Sequence, residues 1–70
     1  MLIIEHVSPF TESPRTLSMD DAERLITSAQ RFWFPIHVRD AEQAVRSGAK
    51  DHVRLDLSTD RKEYLLFRKT

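Results

Sequence analysis

Seventy residues with no cysteine, one glycine and three prolines are enough for a single compact domain and too few for two cores. An apolar share of 40% beside a charged share of 31% argues against a disordered tail, a collagen-like repeat and a membrane span. Eleven basic residues balance eleven acidic ones, so the molecule as a whole exerts no long-range pull on phosphate polymers or anionic lipids.

The charge is uneven along the chain. Residues 1–30 carry two basic and five acidic side chains, and residues 31–70 carry nine and six. A domain of this size hides only roughly 60% of the surface its unfolded chain exposes, which leaves little interior for a deep reaction pocket. Without cysteine there are no disulfides, thiolate zinc sites or thiol chemistry, and the expected compartment is the cytoplasm. The opening Met-Leu-Ile-Ile-Glu-His lacks the basic lead and long apolar run of a signal peptide and reads as the start of the mature chain.

Leu2 to Val7 is a short, Ile- and Val-rich run closed by Ser8 and Pro9, which predicts a first strand. Residues 8–17, punctuated by Pro9, Ser13 and Pro14, read as a surface loop. Ser18 followed by Asp20 and Asp21 has the chemistry of a helix entrance. Ala22, Leu25, Ile26, Ala29 and Trp33 then share one apolar stripe, with Met19 and Phe32 at its edges and Gln30 and Arg31 on the polar side. Pro35 is expected to end this helix near Trp33. Ile36 to Arg39 reads as an extended connector, and Asp40 with Gln43 three residues later predicts a second, short helix closed by Gly48. Residues 52–69 read as a hairpin: Val53, Leu55 and Leu57 alternate with polar residues, Thr59 to Lys62 turn, and Glu63 to Lys69 return. A four-residue loop sets Leu55 opposite Leu66 and turns Leu65 and Phe67 to the outer face. A slip by one residue exchanges the two sets.

The fold class expected is therefore α+β: a small two-layer domain of residues 1–70 in the order β-α-α-β-β. A three-stranded, mainly antiparallel sheet packs on one long and one short helix.

Catalytic and metal chemistry find little support. His6, His37 and His52 lie about fifteen or more residues apart, outside any spacing that presents two ligands from one helix face, so no metal or other cofactor is expected. Asp51 beside His52, and Asp40 near His37, do not make an orienting pair on adjacent positions, and none of the serines has a nucleophile-elbow surround. One glycine cannot build a phosphate-cradling loop. Asp20, Asp21 and Glu23 are accounted for by the helix dipole.

Two surfaces remain. Phe32-Trp33-Phe34 places three aromatics in a row where no single helix face can bury all of them. With Leu65 and Phe67 on the outer sheet face, they form a candidate patch for a protein partner or a second copy of the chain. The alternative is a nucleic-acid surface on the C-terminal hairpin made by Arg61, Lys62, Arg68 and Lys69, which Arg31, Arg39, Arg46 and Arg54 extend if the fold gathers them. The reading that follows is a non-enzymatic binding module acting as an inhibitor, adaptor or regulatory subunit. It includes homodimerisation as the simplest cover for strands that are apolar on both faces.

Overall fold

The computed structural model describes residues 1–29 and 32–70, without the side chain of Ala29, so the readings of that side chain and of Gln30 and Arg31 lie outside the described residues. The elements are β1 (Leu2–Val7), β2 (Arg15–Leu17), α1 (Met19–Ala29), α2 (Pro35–Arg46), β3 (His52–Asp56) and β4 (Tyr64–Lys69). The fold is α+β with an antiparallel sheet, but the sheet has four strands rather than three, in the order β2-β1-β4-β3. The added strand, β2, occupies the last three residues of the expected 8–17 loop and pairs Ile4 with Leu17 and His6 with Arg15. Three residues carry too little alternation to stand out from a proline-rich stretch, and only pairing with β1 makes them a strand.

α1 starts as its sequence dictates: Ser18 Oγ accepts the Asp21 N–H at 3.1 Å, and Asp20 and Asp21 occupy the first turn. It does not continue as a helix to Trp33. Thr27 Oγ1 donates to the Glu23 carbonyl at 2.8 Å and Ser28 Oγ to the Leu25 carbonyl at 3.0 Å, side-chain competition that weakens a last turn already lacking basic residues.

α2 begins at Pro35 rather than Asp40. Proline at the first helical position has no amide to leave unpaired and holds φ ready for the helix, while the extended Phe34 before it satisfies the restriction proline imposes. Val38, Ala41 and Val45 are its buried stripe. Gly48, at φ +82°, ends it in a left-handed conformation, and its N–H donates to the Val45 carbonyl at 3.2 Å.

Both helices pack on one face of the sheet. The core joins Ala22 and Ile26 of α1 and the α2 stripe to Ile4, Leu55, Leu57, Leu65 and Phe67. The hairpin register corrects the expected one by a single residue: Leu55 pairs with Leu65, Val53 with Phe67 and Arg54 with Leu66. Leu65 and Phe67 are therefore 0% exposed beneath the helices and take no part in any outer patch. Leu66 and Tyr64 hold the opposite face instead, with Ile3, Val7 and the ion pair of Arg68 Nε with Glu5 Oε1 at 2.6 Å. The Arg54 guanidinium lies 3.7 Å from the Tyr64 ring centroid. These long charged side chains supply part of the cover that two-faced strands require.

Candidate functional site

Antiparallel pairing sets the location of the site. Val7 and Asp56 both sit opposite Tyr64, and His6 opposite Arg15, so the β1–β2 and β3–β4 turns leave the same end of the sheet. The segment between α1 and α2 is tied to that end by Trp33, whose Nε1–H donates to the Asp56 carbonyl at 2.7 Å. Three connections thus converge, and the first and the last-named of them lead into exposed apolar side chains while the β3–β4 turn is polar. Phe10 is 92% exposed, Phe34 69%, Ile36 57% and Phe32 47%. Met1 is the one other large apolar side chain so exposed among the described residues, and it lies at the opposite end.

The aromatic row is ordered from within. His37 Nδ1 accepts the Phe34 N–H at 2.8 Å, capping the helix that Pro35 begins, and must be the unprotonated ring nitrogen to do so. The His37 ring stacks on Phe34 with centroids 6.0 Å apart and meets Trp33 edge-on at 5.2 Å. Trp33 is half-buried, and two of the hollows it walls lie beside the other rings of the row. One, of about 370 Å³, runs to Phe34, Pro35, Ile26 and Thr27. The other, of about 240 Å³, lies toward Phe32, Ser58 and Arg61. Rings held this way lose little freedom when they are covered.

The β3–β4 turn is a hydrogen-bonded knot. Asp56 accepts from Arg54 Nε at 2.7 Å and Arg61 Nε at 3.1 Å, and Arg54 also donates to the Arg61 carbonyl at 2.6 Å. Those contacts hold Arg61 at φ +63°, a left-handed conformation that costs a residue with a Cβ. Asp60 accepts from Ser58 Oγ at 2.6 Å and from the Lys62 N–H at 3.1 Å.

The hydrogen bond from Arg54, with the charges of Arg54 and Arg61, outweighs desolvation and holds the Asp56 carboxyl below its ordinary 3.8. The hydroxyl of Ser58, then the Lys62 amide, does the same for Asp60. Because both values are depressed on folding, their contribution is present above the ordinary carboxylate range and is lost as pH falls through the lowered values. We expect the turn to loosen below about pH 3.8, ahead of the sheet, with hydrogen exchange at the Lys62 amide accelerating first. An Lys62 amide that stays as protected as the β1–β4 amides down to the acid transition of the whole domain contradicts this.

Of the residues expected to form the partner surface, Phe32, Trp33 and Phe34 come together at this end, and Leu65 and Phe67 do not. The four basic residues expected to bind nucleic acid are divided between the ends of β4: Arg61 and Lys62 in the turn, Arg68 and Lys69 at the far end. Arg61 is paired with Asp56 and Arg68 with Glu5. Arg39 and Arg46 lie on α2, paired with Glu23 and Glu42, and Arg54 is on β3 with Asp56.

The histidines take separate posts. His6 Nε2 donates to Glu63 Oε2 at 2.8 Å, His37 caps α2 and His52 is exposed on β3. Among the described residues no group of three or more His, Asp and Glu side chains is placed to hold a metal ion, and no helix is long and apolar enough to cross a membrane.

Phe10 and Ile36 were not legible as site residues. Phe10 lies in a loop with no periodicity to assign it a face, and Ile36 became an outward helix position only because α2 starts at Pro35. Comparison with models of protein families, with curated proteins and with solved structures gives no match for this chain.

Proposed function

We propose that the protein is a small, non-enzymatic binding module that works by protein–protein contact through its aromatic end. One observation carries the reading: Phe32, Phe34 and Ile36 are exposed together at the end where three connections meet, with Phe10 exposed on a further turn of that end, while the other Phe, Trp and Tyr rings are wholly or half buried. At about 200 Å² per large apolar side chain, Phe32, Phe34 and Ile36 together expose apolar surface on the order of 350 Å². That is as large as the biggest apolar patch on an ordinary monomer and suits the centre of an interface burying about 800 Å² per partner. Arg61, Thr59 and Thr11, exposed on the neighbouring turns, supply a polar rim.

The test replaces Phe32 and Phe34 separately with Asp, with Lys69→Ser at the opposite end as control. Self-association is read by sedimentation velocity and partner capture by affinity purification, with circular dichroism to monitor the fold. Both aspartate variants are expected to lose association or capture by about tenfold or more with unchanged helix content, since hot-spot rings carry 2 kcal/mol or more. If both associate and capture as the unaltered chain does, the aromatic end is not the contact surface.

A further inference from the structure

The entrance of α2 is held by one titratable ring. α1 opens on groups that keep their charge state near neutral pH, the Ser18 hydroxyl with Asp20 and Asp21 behind it. α2 has neither kind: the residue before Pro35 is Phe34, which carries no side-chain acceptor, and its first turn holds no carboxylate. Its side-chain cap is the lone pair of His37 Nδ1, 2.8 Å from the Phe34 nitrogen. The same ring stacks on Phe34 and meets Trp33 edge-on, so a single imidazole fixes both the helix end and the attitude of two rings of the aromatic row.

Histidine is the side chain whose charge ordinarily changes between about pH 5 and 8. An imidazolium carries a hydrogen on each nitrogen and cannot accept, so protonation turns the contact with the Phe34 amide from a hydrogen bond into two N–H groups facing each other across 2.8 Å. The cation also stands in the first turn of α2, where the macrodipole disfavours it. Its attraction for the Phe34 ring is weak, because centroids 6.0 Å apart are at the outer limit of cation–π contact. Asp40, one turn along α2, and Lys50, in the connection to β3, line the groove beside His37, to which β3 contributes the apolar Val53 and Leu55. Asp40, at the i+3 position, draws an imidazolium away from the Phe34 amide, and Lys50 repels it.

We propose that His37 is a proton-operated latch on the aromatic end: neutral, it fixes the α2 entrance with the Phe34 and Trp33 rings, and protonated, it releases them. Its effect on association rests on the reading of that end as the contact surface, and on that reading association weakens as pH falls from about 7.5 to about 5.5. The other titratable groups act differently over this range. Asp56 and Asp60, held below 3.8, stay charged throughout. His6, already donating to Glu63, gains an ion pair on protonation instead of losing a partner, and His52 lies at the far end of β3.

The test is a pH titration of the isotope-labelled full chain from about 7.5 to about 5, followed by NMR. At the upper end the His37 ring is expected to carry its proton on Nε2, and as the ring titrates the Phe34 amide proton should move upfield along the same curve. His37→Gln keeps an acceptor at the third helical position, where glutamine completes a capping box, but does not titrate, so its Phe34 amide should hold its position across the range. His37→Ala should show the released Phe34 amide at every pH, and His52→Gln should behave as the unaltered chain. By sedimentation velocity and partner capture, the unaltered chain should associate about fivefold more weakly at the acid end, since a lost cap costs about 1 kcal/mol, whereas His37→Gln should show no pH dependence.

The proposal is overturned if the neutral His37 ring carries its proton on Nδ1, if the Phe34 amide stays in place while the ring titrates, or if His37→Gln keeps the pH response. Association that is lost in Phe34→Asp yet equal at both ends of the range also overturns it, and leaves the aromatic contact surface standing. A Phe34 amide that follows the His37 ring, beside Phe32→Asp and Phe34→Asp variants that associate and capture normally, does the reverse: the latch stands and the contact surface falls.

Discussion

Phe67→Ala is expected to unfold the protein under conditions where the unaltered chain is native. Phe67 is the largest fully buried side chain among the described residues and sits between Ile4 and Val53 on the helix-facing side of the two strands that flank β4. Deleting a buried phenylalanine ring costs about 3–5 kcal/mol, because the lost transfer energy is joined by the cavity left behind. Stability of roughly 0.05–0.15 kcal/mol per residue gives a chain of this length only about 3.5–10 kcal/mol in total. Urea denaturation followed by circular dichroism measures the difference. The neighbouring Leu66→Ala, on the half-covered opposite face, should cost no more than about 1 kcal/mol. The contrast is a direct reading of register, since a one-residue slip in β4 reverses the order of the two variants.

Trp33→Ala should be the most damaging change at the aromatic end, with a loss of about 2–4 kcal/mol, somewhat below the range for a fully buried ring because Trp33 is half-exposed. Trp33→Phe keeps most of the packing against His37 and removes only the donor to the Asp56 carbonyl, a hydrogen bond worth about 0.5–1.5 kcal/mol. The gap between the two variants separates ring packing from the polar tie. Thermal melts supply both values, and hydrogen exchange at the start of α2 should quicken in both. A Trp33→Ala melt that coincides with that of the unaltered chain shows the indole to be an ornament of the surface rather than the clasp between α1, α2 and β3.

Legibility from sequence tracked how local the determining physics was. β1, the Ser18 entrance to α1, Gly48 at the close of α2 and the existence of the C-terminal hairpin all rest on contacts within a few residues, and all stood in the sequence. The start of α2 was misread because proline has two opposite meanings: a stop inside a helix and a favoured first residue of one. Only the His37 ring folding back on the Phe34 amide distinguishes them here. The hairpin register was out of reach for a related reason. Its turn is closed by Ser58, Asp60 and a left-handed Arg61 rather than by the Asn-Gly or Asp-Gly pair that announces a two-residue turn. From that single slip followed the misplacement of Leu65 and Phe67 in the candidate site, whereas Phe32, Trp33 and Phe34 were recognisable because their crowding cannot be resolved on any one face.

The two central strands of the sheet are β1 and β4, paired from Leu2 with Lys69 to Val7 with Tyr64, and the Thr70 N–H donates to the Met1 carbonyl at 2.9 Å. Folding of this chain therefore has to wait for synthesis. Until the ribosome releases the residues around Tyr64 to Lys69, nascent β1 has only the three-residue β2 as a strand partner and β3 has no strand to pair with. Closing so large a loop comes late and costs entropy before any contact repays it, so the apolar residues of β1 remain open to chaperones and to aggregation until β4 has emerged.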